Sequence, residues 1–341
     1  MTEPSSARPG SGTDPLGNLI RERSVLLADG ATGTNLFDMG LESGDAPELW
    51  NETYPDRIAT LHRGFVEAGA DIILTNSFGG SRHRLKLHDA QDRVHELNER
   101  AGAIARGVVA QSERTVLVAG SVGPTGELLS PLGDLSYDSA VEAFIEQMEG
   151  LWDGGVDLVW IETMSAEEEI AAALEAAGRV GIPAVVTASF DTAGRTMMGL
   201  TPAQLGAVTK GAIAFGANCG VGASDILASL IDMNDERPIV VKGNCGIPRF
   251  QGTEIVYSGT PEQMAEYARL AIDGGASIIG GCCGTTATHL SAMREAIDNH
   301  VRGETPTVAE IERRVGPLIN STATVHDGKP ERRRRRGRSS G

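Results

Sequence analysis

The residues of this chain best equipped for chemistry are its four cysteines, Cys219, Cys245, Cys282 and Cys283. In a reducing compartment, clustered cysteines read as metal ligands or reactive thiols before they read as structural disulfides. Cys282 and Cys283 are adjacent, and in an ideal strand their side chains would leave on opposite faces. Gly280, Gly281 and Gly284 around them let the backbone turn so that both sulfurs face one ion. With Cys219 they form a three-thiolate set. Soft thiolates select Zn2+, with bonds of about 2.3 Å, and three protein ligands leave one tetrahedral position open, as in catalytic rather than structural sites. Neither a C-x-x-C pair nor zinc-finger histidine spacing is present. A free thiol has a pKa of about 8.5, whereas a coordinating thiol is deprotonated outright. Such a site suits attack by a substrate thiolate on an electrophilic methyl carbon without a general base. The alternative is that the cysteines are small buried residues packing near strand ends.

The elements that must position these thiols repeat one unit, a short apolar run followed by a stretch of helical periodicity. The pattern predicts eight strands, at Val25–Ala31, Asp71–Phe78, Thr115–Val122, Val156–Thr163, Ala184–Phe190, Ala212–Cys219, Pro238–Asn244 and Ser277–Cys282. It predicts helices over Pro55–Gly69, Ser136–Asp153, Ser165–Val180, Thr201–Lys210, Ser224–Met233, Pro261–Asp273 and Thr288–Asn299, with one more over Thr307–Leu318. Ser165 and Glu168 have capping-box spacing, and Gly69, Gly154-Gly155 and Gly274-Gly275 stand where helices should stop. The strands are nearly continuous in Val, Ile, Leu and Ala, as parallel strands buried on both faces should be. Eight of them alternating with helices predict a single-domain (β/α)8 TIM barrel with disordered termini. In that fold chemistry gathers where strands end. All four cysteines fall there, as do Asp29-Gly30 and Glu162-Thr163.

Composition bounds the rest. At 341 residues and 40% hydrophobic content, one large barrel accounts for the chain. The boundaries expected are a disordered segment over 1–16, the barrel with its C-terminal helix over 17–319, and a disordered basic tail over 320–341. No run approaches the roughly 18–20 apolar residues of a membrane span, and the N-terminus lacks a signal-peptide pattern, so the expected compartment is the cytoplasm. The net charge of −16 argues against nucleic-acid binding by the folded part. Arg332 to Arg336 and Arg338 oppose this, and removing those six positive charges leaves −22 for the remainder. A solvated tail is the expectation for them, against weak, salt-sensitive binding to an anionic surface.

Four motifs carry a likeness. They are Asp29-Gly30-Ala31-Thr32-Gly33-Thr34, Thr75-Asn76-Ser77-Phe78-Gly79, Gly216-Ala217-Asn218-Cys219-Gly220 and Gly280-Gly281-Cys282-Cys283-Gly284-Thr285. In this order, over about residues 20–300, the chain resembles the homocysteine S-methyltransferase family. The stretch Gly44-Asp45-Ala46-Pro47-Glu48-Leu49-Trp50-Asn51 makes it most similar to the bacterial group labelled betaine–homocysteine methyltransferase. The resemblance implies a zinc held by Cys219, Cys282 and Cys283, with no ligand role for Cys245. It further implies a homocysteine pocket in which Asp29, Gly30 and Glu162 hold the amino-acid head group. Betaine is the expected methyl donor, with the Trp50 loop closing over it. Trp50, Tyr54, Phe78, Phe190, Phe250 and Tyr257 are the aromatic candidates for its quaternary ammonium. The animal betaine enzymes carry a tyrosine where Gly79 stands here and another aromatic where Thr163 stands. That departure keeps two other donors open. One is S-methylmethionine; the other is methylcobalamin on a separate protein, as in a split methionine synthase.

Overall fold

The computed structural model describes residues 14–246, 248–251 and 254–319. The disorder expected for residues 1–13 and 320–341, including the arginine run, lies outside the described residues. The chain enters through α1 (Pro15–Arg23), capped by Asp14, whose carboxylate accepts the Gly17 N–H at 2.8 Å. Residues 15 and 16, expected to be disordered, therefore belong to the fold. Leu16 and Leu19 pack among the inward side chains of the strands and plug the end of the barrel where the strands begin.

Eight parallel strands form the barrel: β1 (Leu26–Leu27), β2 (Ile72–Leu74), β3 (Leu117–Val122), β4 (Leu158–Met164), β5 (Ala184–Ala188), β6 (Ala214–Cys219), β7 (Ile239–Gly243) and, last in the chain, β10 (Ile278–Gly281). Each pairs with its neighbour in the order β1-β10-β7-β6-β5-β4-β3-β2, and an Ala28–Ile72 bridge closes the ring. Between β7 and β10 lies an antiparallel pair that the sequence pattern does not reveal, β8 (Pro248–Gln251) with β9 (Glu254–Tyr257).

Around the ring run α2 (Gly33–Asp38), α3 (Trp50–Thr53), α4 (Pro55–Glu67), α5 (Arg82–Leu85), α6 (Val94–Val109), α7 (Tyr137–Asp153), α8 (Glu167–Val180), α9 (Pro202–Val208), α10 (Ala223–Ile231), α11 (Pro261–Asp273), α12 (Ala287–Asn299) and α13 (Val308–Arg314). Of these, α2, α3, α5 and α6 were not expected from the sequence. The glycine stops are where the sequence places them: Gly69, Gly155 and Gly275 take left-handed φ values of 99°, 87° and 99°. The Ser165–Glu168 capping box is not formed. Helix α8 starts at Glu167 behind Ala166, with no side-chain cap. Among the described residues no helix is long and apolar enough to cross a membrane.

Strand geometry sorts the core into two shells, because alternate side chains leave a strand on opposite faces. Leu26, Ile72, Leu74, Leu117, Leu158, Trp160, Val185, Val240 and Ile278 fill the barrel interior, while Leu27, Ile73, Val118, Val159 and Val241 face the helices. The same parity carries the next residues inward. After Leu158 and Trp160 comes Glu162; after Val240 comes Lys242; after Ala214 and Gly216 comes Asn218. The polar layer that crowns the barrel follows from the period of the strands. At the opposite end, buried Asp71 binds Arg23, Arg114 and Arg294 and accepts the Leu27 N–H at 2.9 Å, tying β1 to β2 where the ring closes.

Candidate active site

Cys219 ends β6 with φ +60°, and Gly220 follows at +68°. A non-glycine residue in this left-handed region costs on the order of 1–3 kcal/mol and persists only where its surroundings enforce it. Asn218 supplies that enforcement through Thr163 at the end of β4, itself at φ +62°. Thr163 donates its N–H to Asn218 Oδ1 at 2.9 Å, and Asn218 Nδ2 donates back to the Thr163 hydroxyl at 2.8 Å. Asn244, just past β7, joins the two cysteine-bearing loops. Its Oδ1 accepts the Cys283 N–H at 3.0 Å, and its Nδ2 donates to the Gly220 carbonyl at 2.7 Å. The Cys282 N–H donates to the Gly243 carbonyl at 2.8 Å. At Gly281 a Cβ would fall 2.2 Å from Thr285 Cγ2, so a side chain there would break the turn that presents both cysteines.

These constraints gather the sulfurs of Cys219, Cys282 and Cys283 within 4.8 Å of one another, each half-buried. Cys245 is buried and stands outside that group. The thiols suppress each other's ionisation. Contact with Cys282 pushes Cys219 up to about 12, and contact with Cys219 pushes Cys283 up to about 11. A bound dication reverses that balance, since coordination deprotonates a thiol outright. Tyr257, at the end of β9, hydrogen-bonds the Cys283 sulfur and lays its ring on Gly284, where a Cβ would meet the ring carbon Cγ at 2.3 Å.

A cavity of about 490 Å3 opens from this cluster to the surface at the end of the barrel where the strands finish. Its inner wall holds Ser121, Glu162, Thr163 and Lys242, and Gly30 through Thr34 form one side. Ser121 donates its hydroxyl to Glu162 Oε1 at 2.5 Å. Burial pushes the Glu162 carboxyl above its usual range, and the Lys242 cation draws it partly back. Burial works against the Lys242 ammonium, but Asp29 and Glu162 together outweigh it and hold the proton on. Phe37, Phe78 and Leu87 make an apolar mouth.

The structure therefore brings Gly30, Glu162, Cys219, Cys282 and Cys283 to one cavity. Two expected site residues are placed otherwise. Asp29 is fully buried, does not line the cavity, and is already bonded to Lys242 Nζ at 2.7 Å and to the Leu74 N–H at 2.7 Å. Trp50 starts α3 facing the protein core, 5% exposed, edge-on to Tyr54 at 4.8 Å and under the Arg57 guanidinium at 5.0 Å. The residues before it, Asp45 to Glu48, reach the cavity in its place. Of the other aromatic candidates Phe78 lines the cavity, Phe190 is buried behind Cys219, and the Phe250 side chain lies outside those described. Lys242, Asn244 and Ser121 were not singled out from sequence. Inward parity on β7 was the available signal for the lysine.

The family profile described as homocysteine S-methyltransferase matches residues 26–297, the whole of the barrel ring. The chain belongs to the homocysteine S-methyltransferase family. Its relatives include the methionine synthase of Mycobacterium leprae, 34% identical over 336 residues, covering 92% of this chain and 27% of that protein. The methionine synthase of Mycobacterium tuberculosis is 32% identical over 308 residues, covering 84% of this chain and 26% of that protein. The chain thus spans about a quarter of the length of these relatives. Among solved structures it is similar to the homocysteine methyltransferase MmuM of Escherichia coli, with a TM-score of 0.70, 26% identity, and coverage of 83% of this chain and 99% of that one. A metallated form of that enzyme matches with a TM-score of 0.69 at 25% identity. As a member of this family the chain is a methyltransferase enzyme, and its three-cysteine cluster is a donor set suited to a metal ion.

Proposed function

We propose that the enzyme transfers a methyl group to the thiol of homocysteine, giving methionine, with Zn2+ held by Cys219, Cys282 and Cys283. The observation that carries this reading is the convergence of three sulfurs within 4.8 Å at the inner end of a cavity that also holds Glu162. A bound Zn2+ would supply the charge that keeps a thiol ionised near neutral pH. The chain's own residues do the rest. Glu162, oriented by Ser121, receives the substrate ammonium, and the Gly30 amide receives its carboxylate. The head group so fixed directs the substrate sulfur toward the cluster. The thiol proton leaves on ionisation. The sulfur–carbon bond then forms as the bond from methyl to donor breaks, and that bond's electron pair departs with the donor.

For the donor, the apolar mouth favours a methyl group delivered by a cobalamin-bearing partner protein. Phe37 and Leu87 are 51% and 71% exposed at the cavity entrance, and Leu128, Leu132, Met197 and Met198 are exposed on loops at the same end of the barrel. Exposed apolar side chains at the mouth of a site are a feature of binding faces. The likeness to methionine synthases, of which the chain matches about a quarter, is consistent with a methyl group delivered by another protein module. Betaine, or S-methylmethionine, is the second reading. It rests on charge, since three thiolates around Zn2+ leave an anionic centre that attracts an onium donor. Incubating the purified full chain with homocysteine and each donor, and measuring methionine, separates the readings. Turnover with methylcobalamin but not with betaine or S-methylmethionine supports the first; the reverse supports the second. No methionine from any donor contradicts both.

A further inference from the structure

Lys242 is a buried charged group that methyl transfer leaves unused. Inward parity on β7 sends its stem across the barrel over Gly280, where a Cβ would come within 3.0 Å of Lys242 Cγ. Its ammonium lies 5.5 Å above the centre of the Trp160 ring, in the apolar layer beneath. Lys242 is 3% exposed, and it lines the cavity beside Glu162 and Cys282. Among the described residues its single hydrogen bond runs to Asp29 Oδ1, at 2.7 Å. An ammonium has three donors. Two are left without a protein partner at the wall of a cavity, and a buried donor in that position calls for an acceptor from the ligand.

The carboxylates beside it are unequal. Asp29 uses one oxygen on Lys242 and the other on the Leu74 N–H, so it acts as an anchor. Glu162 has Oε1 on Ser121 and, among the described residues, no hydrogen bond to Oε2. The floor of the cavity therefore offers one cation and one free carboxylate oxygen side by side. A zwitterion presents the matching pair.

We propose that Lys242 is a specificity-determining residue of this cavity: anchored by Asp29, its ammonium joins the Gly30 amide in receiving the α-carboxylate of the amino-acid substrate while Glu162 receives the α-ammonium. This rests on reading the cavity as a homocysteine site. It moves Asp29 from substrate contact to support, and it predicts that the enzyme rejects thioethers and thiols lacking the carboxylate. Without the lysine, the floor would carry two carboxylates and favour a plain amine.

The test titrates the full-length protein calorimetrically with L-methionine and with its carboxylate-free analogue, 3-(methylthio)propylamine. The wild-type chain should bind methionine roughly 10-fold or more tightly, the scale of one charge-assisted hydrogen bond. Lys242→Met should bring the two affinities together, chiefly by weakening methionine. Because that change orphans buried Asp29, the double variant Asp29→Asn/Lys242→Met, which removes both charges, provides a second measurement with the same expected loss of preference. A preference for methionine that survives in both variants, or equal wild-type affinities, overturns the role of Lys242. Wild-type binding of neither compound overturns the amino-acid reading of the cavity, and the role of Lys242 falls with it.

Discussion

Asn218 and Thr163 hold each other through two hydrogen bonds, Thr163 N–H to Asn218 Oδ1 at 2.9 Å and Asn218 Nδ2 to the Thr163 hydroxyl at 2.8 Å. Each stands next to a site residue, Cys219 in one case and Glu162 in the other, and both Thr163 and Cys219 are left-handed. The pair couples the metal side of the cavity to the head-group side across β5.

Asn218→Ala should therefore lower zinc affinity about 10- to 100-fold, the usual effect of removing a group that orients a ligand. Competition with a chromophoric chelator measures it, with circular dichroism confirming the fold. Unaltered zinc affinity would show that Cys219 keeps its place without the pair.

Cys282→Ala should lose both the metal and methyl transfer, and Cys219→Ala should behave likewise. Cys245→Ala should keep both, since its sulfur stands apart from the other three. Elemental analysis of the purified variants decides this. Zinc retained in Cys219→Ala but lost in Cys245→Ala would reassign the ligands.

Glu162→Gln should keep fold and metal but weaken homocysteine binding by about 1.5–3 kcal/mol, the worth of a charge-assisted hydrogen bond. The KM for homocysteine should rise while the metal content stays constant. An unchanged KM would make Glu162 a structural partner of Ser121 alone.

His62 on α4 is fully buried, neither ring nitrogen has a partner among the described residues, and burial pushes its pKa down from 6.5 to about 4. The unfolded chain then binds a proton that the folded one refuses between pH 6.5 and 4. Stability from this residue is complete above pH 6.5, falls as pH drops through the window, and is about 3 kcal/mol lower below it. Urea unfolding of wild type and His62→Leu at pH 7 and pH 4.5 should show a smaller acid loss in the variant. Equal losses would mean that His62 is protonated in the folded state.

The barrel was legible because parallel strands buried on both faces read as unbroken apolar runs, and Val240-Val241 or Ile278-Ile279 look like nothing else. Helix α6 was not, because small and polar residues, Asn98, Ala101, Gly102 and Ala105, make up most of its buried face and carry little hydrophobic signal. The cysteines were found through their place at strand ends. Trp50 was misplaced for a physical reason: an aromatic in a short segment reads the same whether it faces a cavity or a core. Lys242 was overlooked because a lysine ending a valine-rich strand reads as a solvent-exposed end, and only the parity set by Val240 shows that it points inward. The pairing of that lysine with Asp29 joins residues 213 positions apart, and local pattern cannot carry such a contact.

The three cysteines are expected to hold zinc with one position left for the substrate sulfur. X-ray absorption at the zinc edge, on the purified chain before and after adding homocysteine, tests it most directly. Three sulfur neighbours at about 2.3 Å are expected, with a fourth appearing when homocysteine is present. A sulfur count that does not change on adding homocysteine, or a protein that holds no zinc, would contradict it.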